Sequence, residues 1–155
     1  MMELSKRLQA VADLVTAHYK LADIGTDHAY IPIYLTQQKK ITEAVALDVN
    51  EGPLQRAEEH IRENGLEAEI ETRLSNGFQA LQPGEVQSAV IAGMGGELIS
   101  AILSQKPLGR INLVLQPMTK APSLRRFLAE NGFELLGETA VEESGRLYTV
   151  MNAVF

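Results

Sequence analysis

Two carboxylates and an imidazole crowd the stretch LADIGTDHAYIPIYL, residues 21–35: Asp23, Asp27 and His28, with Gly25 between the acids. An apolar run leads into them and a helical pattern follows, so they belong to the tip of a buried strand. Acids there repel a diphosphate but suit a ligand carrying an ammonium or a sulfonium. One glycine stands where the G-x-G-x-x-G fingerprint needs three, so close approach of a pyrophosphate is not supported. Asp48 follows Gly25 by 23 residues, near the spacing of about 20 at which an acid takes a ribose diol. A carboxylate accepts two hydrogen bonds from a cis-diol, so residue type and task agree.

Further polar and glycine groups recur at the ends of apolar runs: Val49 and Asn50 after Asp48, then Ser75, Asn76, Gly77 and Phe78, then Gly93, Met94, Gly95 and Gly96, then Gln116, Pro117 and Met118. Each also has a plainer use. Asp23 could bond backbone N–H groups at a strand end, and Asp48 could cap a turn or helix. Asn76–Gly77 suits a turn, Gly93–Gly96 suits a helix entry, and His28 suits capping or packing better than base catalysis. His18 and His60 read as surface residues on helices. No His or acid pattern implies a metal. The functional reading gains from all these features falling on successive strand tips.

The elements that must position them follow from periodicity. Leu4, Leu8, Val11, Ala12 and Val15 recur at helical spacing, predicting a helix over about 3–18. Strands are expected at YKLADIG, EAVALDV, EAEIETRL, QSAVIAG and INLVLQ, alternating with helices over about 29–38, EGPLQRAEEHIREN, 97–103 and 121–131. Asn64–Gly65 and Asn131–Gly132 read as helix stops. Nearly all-apolar strands alternating with helices mean a parallel sheet covered on both faces. FELLGETAVEE and RLYTVMNAVF, joined by Ser144–Gly145, read instead as an antiparallel hairpin. The expected fold is α/β and Rossmann-like: a seven-stranded, mostly parallel sheet with a C-terminal antiparallel hairpin and helices on both faces. Ligands bind such sheets beyond the carboxyl ends of the strands.

The chain of 155 residues suits one domain, spanning 1–155, and its 45% hydrophobic and 22% charged content is that of a globular protein. No apolar run reaches the length of a membrane span, and the alternating charges of MMELSKRLQAVADL do not make a signal peptide. The absence of cysteine fits a reducing, cytoplasmic setting. Net charge −6 argues against a nucleic-acid partner. Its distribution argues less so: residues 98–129 hold no acid but carry Lys106, Arg110, Lys120, Arg125 and Arg126.

The quoted motifs resemble class I methyltransferases that use S-adenosylmethionine. LADIGTDHAYIPIYL, ALDVNEGPLQRA, RLSNGF and VIAGMGGELI are similar, more narrowly, to the bacterial tRNA (adenine-22-N1)-methyltransferase family, along nearly the whole chain. That resemblance implies the residue roles that follow. Asp23 and Gly25 match the first cofactor motif, beside the methionine part. Asp48, with Val49 next to it, matches the ribose-binding acid. Asn76 and Gly77 match the loop holding the cofactor adenine, where many relatives carry Asp. Gly93 and Met94 match the loop beneath the reacting methyl, and Arg7 in the opening helix is either a residue that reaches the cofactor carboxylate or an ordinary surface residue. The loop after the fourth strand lacks the Asp/Asn-Pro-Pro-aromatic tetrad of amino-group methyltransferases, and nothing here corresponds to the family's C-terminal helical domain.

The expected reaction is methyl transfer to N1 of an adenine in tRNA, with the base unpaired or flipped. Asp27 is the candidate to stabilise the cation that forms or to take a proton, against a rival role at the cofactor ammonium; His28 and Tyr30 would position the base. The basic stretch Lys106–Arg126 would face the tRNA backbone. Two other classes stand beside this one: a module that binds adenosylmethionine or a nucleotide without catalysis, and a nicotinamide-dependent reductase, which the single glycine and the hairpin disfavour.

Overall fold

The computed structural model describes residues 3–105 and 109–155. Lys106 of the basic stretch lies outside the described residues. In chain order the elements are α1 (Lys6–Leu14), β1 (Leu21–Ile24), α2 (Tyr30–Gln37), β2 (Ala44–Asp48), α3 (Glu51–Glu63), β3 (Ile70–Leu74), β4 (Ser88–Met94), α4 (Gly96–Leu103), β5 (Asn112–Pro117), α5 (Ala121–Glu130), β6 (Glu134–Glu143) and β7 (Arg146–Val154).

One seven-stranded sheet runs β3-β2-β1-β4-β5-β7-β6. The pairs β2–β3, β1–β2, β1–β4 and β4–β5 are parallel, while β7 is antiparallel to both β5 and β6. So β6 runs in the same direction as the first five strands and β7 alone is reversed. The hairpin has formed as its Ser144–Gly145 link implies: both turn residues have positive φ, 53° and 77°, the twist that suits a two-residue connection. Its second strand, not its first, docks on the sheet edge at β5.

The strands are buried on both faces because alternate side chains feed two cores. Ala22, Ile24, Val45, Leu47, Ile91 and Leu115 lie under α4 and α5 in one cluster. Leu21, Ala46, Val90 and Val114 lie under α1, α2 and α3 in the other. Asn64–Gly65 and Asn131–Gly132 end α3 and α5, with the glycines at φ 67° and 84°. The first helix is shorter than its apolar periodicity predicts. Ser5 caps it by accepting from the Leu8 N–H, and Val15 is already extended (φ −68°, ψ 132°). His18 sits in a turn at φ 70°, not on a helix, and its N–H donates to Lys40 O at 2.8 Å. The chain has to reverse there to enter β1, and this local demand overrides the helical pattern.

β1 lies between β2 and β4, where the strand order changes direction. The loops leaving β1 and β4 therefore diverge to opposite faces, opening the crevice in which ligands of such sheets bind.

Candidate functional site

Two adjoining cavities of about 310 and 350 Å³ occupy that crevice. The first is lined by Arg7, Asp23, Thr26, His28, Tyr30 and Gly93, among others. The second is lined by Asp48, Val49, Asn50, Ser75, Asn76, Gly77 and Leu98, among others. Gly25, Asp27 and Met94 line both. All twelve residues singled out in the sequence thus border one or both cavities, and the two together form a single elongated cleft.

The waist of the cleft explains two glycines. Gly25 has φ 74°, and a Cβ there would run into the Met94 methyl group. Gly93 has φ 80°, left-handed backbone that a side chain rarely adopts, and the Arg7 guanidinium lies over it. Backbone can therefore approach a ligand closely from both loops.

Asp23 ends β1 buried, its Oδ2 accepting from the Thr26 hydroxyl at 2.7 Å. Burial pushes its pKa up to about 6, the Thr26 hydrogen bond opposes the rise, and the charge of Asp48 adds to it. Asp48, also buried, accepts from the backbone N–H of Asn50 (3.0 Å) and of Asp27 (3.4 Å). Among the described residues no cation forms an ion pair with either acid. Two buried carboxylates that share a cleft and lack a counter-ion are what a cationic ligand would complete. Asn76, beyond β3, offers an exposed side chain that bonds no other described residue; its backbone carbonyl accepts from Gln79 N and from the Gln105 amide. Val49 and Leu98 are apolar side chains left more than half exposed, at 59% and 54%, on the walls of the second cavity. Flat apolar ligand surface fits between such walls.

Asp27 is more exposed and is not unpaired. Arg56 donates from Nε and Nη2 to its Oδ1 at 3.1 and 2.8 Å, and His28 Nε2 is 3.7 Å from its Oδ2. The His28 and Tyr30 rings stack, 5.0 Å between centroids and 14° between planes.

Four residues play parts in the site that the sequence reading did not assign, although it placed Gln116 at a strand tip. Gln116, wholly buried at the end of β5, accepts from Arg7 Nη1 (2.6 Å) and from Gly93 N (3.2 Å), so it ties α1 to the β4 loop. A lone amide in an otherwise apolar strand was the available signal. Gln105 braces the Asn76–Gly77 turn, accepting from Phe78 N at 2.8 Å and donating to Asn76 O at 3.1 Å. Arg56 and His60 come from α3. The expectation that His60 is an ordinary surface residue is corrected: its ring lies against those of His28 and Tyr30, at 5.2 and 5.3 Å. Only the folded chain brings α3 over the β1 loop.

The basic stretch is less free than its composition implies. Arg125 donates twice to Glu138, at 2.7 Å each, and Lys120 pairs with Glu97 at 2.9 Å. Arg126 and Arg110 are exposed and make no ion pair with a described residue.

Residues 4–151 match the family model described as a methyltransferase domain. The chain belongs to the methyltransferase-domain family. The tRNA (adenine(22)-N(1))-methyltransferase of Bacillus subtilis is 37% identical to this methyltransferase domain over 98% of its length; the chain spans 65% of that enzyme. The crystal structure of the B. subtilis m1A22 tRNA methyltransferase superposes with a TM-score of 0.94 at 36% identity, over 99% of this chain and 67% of that one. A Streptococcus pneumoniae protein, Sp1610, solved in complex with S-adenosyl-L-methionine, superposes with a TM-score of 0.90 at 38% identity, over 97% of this chain and 72% of its own. The relatives thus share the methyltransferase domain and extend beyond its span. Among the described residues no helix is long and apolar enough to cross a membrane.

Proposed function

We propose that this chain is the catalytic domain of a tRNA (adenine-22-N1)-methyltransferase that uses S-adenosyl-L-methionine. The observation that carries the reading is Asp23, a buried acid without a counter-ion, in one cleft with Asp48. A sulfonium and an ammonium supply the missing positive charge, and a ribose supplies donors for Asp48. The likeness to the B. subtilis enzyme supports the choice of tRNA, and a tRNA substrate implies a cytoplasmic protein.

When bound, S-adenosyl-L-methionine carries an electrophilic methyl group on its sulfonium. This chain's residues bind and orient around it. Asp48 receives the ribose hydroxyls, Asn76 and Gly77 hold the adenine edge, and Val49 and Leu98 cover its faces. Asp23 balances the positive charge, and Arg7, fixed by Gln116 and by Glu143, receives the carboxylate. Gly25, Gly93 and Met94 shape the narrow part of the cleft between the two ends.

The substrate base enters from the side of Asp27, His28 and Tyr30. The stacked His28 and Tyr30 rings give a flat surface for it, and Asp27 Oδ2 is the carboxylate oxygen that Arg56 leaves free to face developing positive charge on the adenine or to accept a proton. Positioning supplies most of the catalysis in a transfer of this kind.

Arg126 and Arg110 are the proposed phosphate contacts, since Arg125 and Lys120 are already paired. The same pairing favours tRNA binding by this domain that is weaker than its run of basic residues implies. The test is calorimetry with S-adenosyl-L-methionine against NAD, followed by methyl transfer to unmodified tRNA with the modified nucleotide mapped by mass. Binding of NAD in preference to adenosylmethionine would reject the reading. Charge reversal at Arg126 should flatten the salt dependence of tRNA binding more than reversal at Arg125.

A further inference from the structure

The loop that carries Asp27, His28 and Tyr30 holds an unfavourable backbone. Asp27 and Ala29, neither a glycine, have φ 52° and 59°. Left-handed conformations of such residues persist only where surrounding contacts over-determine them. Within the loop itself, the one backbone hydrogen bond is from Ala29 N to Thr26 O, at 3.2 Å. The ends of the loop are anchored, Gly25 N and Thr26 N donating to Leu47 O at 2.8 and 3.0 Å and Ala29 buried in the core; the Asp27 side chain and the His28 carbonyl between them are held from one helix. Arg56 and His60 stand four residues apart on α3, hence one above the other on a single face. Leu54, Ala57 and Ile61 bury another face of the helix and fix its position.

Each of the two grips a different part of the loop. Arg56 places two N–H groups on Asp27 Oδ1. His60 Nδ1 lies 3.0 Å from the backbone carbonyl of His28. A carbonyl only accepts, so this is a hydrogen bond with the proton on Nδ1 of His60. The His60 ring also lies against those of His28 and Tyr30, tilted by 39° and 42°, closing a three-ring cluster. Asp48 adds a third, weaker restraint at the Asp27 N–H, 3.4 Å.

We propose that Arg56 and His60 are positioning residues: a two-point clamp from α3 that holds the β1–α2 loop in its left-handed form and so presents His28 and Tyr30 to the target base. The inference rests on the proposed site and goes beyond it: Arg56 also borders the second cavity, but its guanidinium is engaged by Asp27, and neither residue has been given a part in holding the cofactor or the base. Holding the loop costs nothing at the moment of reaction, and small displacements of positioned groups are expensive in rate.

The test compares the Arg56→Gln/His60→Phe double variant with His60→Asn. Phenylalanine keeps the ring contacts without the donor, whereas the asparagine amide can reach the His28 carbonyl without the ring. Amide hydrogen exchange at residues 27–30 reads the loop directly and does not depend on activity. The double variant should exchange there at least about tenfold faster and transfer methyl with kcat lower by roughly 10- to 100-fold, while adenosylmethionine affinity stays within about threefold. His60→Asn should recover most of the slow exchange that His60→Phe alone loses. Unchanged exchange in a folded double variant overturns the clamp. So does a loss of cofactor affinity with kcat intact. If the unmodified protein transfers no methyl to tRNA, the functional reading fails instead, and the exchange experiment still decides whether α3 clamps the loop.

Discussion

Asp23 and Glu85 are both acids held in place by side-chain hydrogen bonds, and their surroundings push them in opposite directions. Glu85 receives Arg73, whose Nη1 and Nη2 each donate at 2.9 and 2.8 Å, and its pKa falls to about 2. Glu138 is lowered likewise by the Arg125 fork. Asp23 has only a hydroxyl partner, and burial pushes it up to about 6. Away from the cleft, Glu85 and Glu138 are neutralised within the protein. At the β1 and β2 tips the charge is left uncompensated. A fold that pairs Glu85, Glu138 and Glu143 with arginines (Glu143 with Arg7) but leaves Asp23 and Asp48 without cations keeps that charge for a ligand. The contrast separates stabilising acids from binding acids without reference to any relative.

The contrast breaks most directly at Asp48. Asp48→Ala removes the acceptor proposed for the ribose, and adenosylmethionine affinity should fall by roughly 100-fold, two charge-assisted hydrogen bonds being lost. Calorimetry measures this, and an affinity near that of the unmodified protein would place the ribose elsewhere. Next comes the pair on the other side. Glu85→Gln leaves Arg73, only 22% exposed, with one of its two ion-pair partners, and should lower the unfolding free energy by about 1–2 kcal/mol in a denaturant titration. Because Glu85 titrates lower folded than unfolded, its contribution is present above about 4.5 and is lost as pH falls toward about 2.

Asp23 behaves with the opposite sign. Its folded pKa lies above its ordinary 3.8, so its ionisation at neutral pH works against the fold, and protonation as pH falls through about 6 relieves that cost. The ligand needs the ionised form. Adenosylmethionine affinity should therefore fall by about tenfold from pH 7 to pH 5, and Asp23→Asn should show the weaker affinity at both pH values. A pH-independent affinity in the unmodified protein would mean that Asp23 does not face the cation. The smallest effect is expected at Arg125→Gln, an exposed pair distant from the cleft: less than about 1 kcal/mol in thermal unfolding, with no change in cofactor affinity.

Gln116 illustrates how far the sequence could be read. The alternation of apolar runs with helical patterns is a consequence of burying both faces of a sheet, so β1 through β5 and their connecting helices were legible, as was the hairpin from Ser144–Gly145. The tips were legible too, because a chain of apolar strands has to place its polar chemistry where the strands end. Asp23, Gly25, Asp48, Asn76 and Gly93 followed from that rule and from the family motifs. The helix ends near Val15 were not, since they depend on where β1 must begin. Gln116 was legible as a polar strand-tip group, but its tie to Arg7 was not, for that partner is 109 residues away.

The sequence by itself determined which residues reach the rim of the cleft: periodicity is a local property, and it fixes where each strand surfaces. Only the tertiary structure decided what those residues meet there. Parallel strands bring together tips far apart along the chain, and α3 crosses back over the β1 loop, so the partners of Asp23, Asp27 and His28 are set by distances in space that no spacing in sequence encodes. That is why Asp48 was visible beforehand as an acid of the right type, while the missing counter-ion of Asp23 and the grip of Arg56 and His60 on the loop came into view only once the chain was folded.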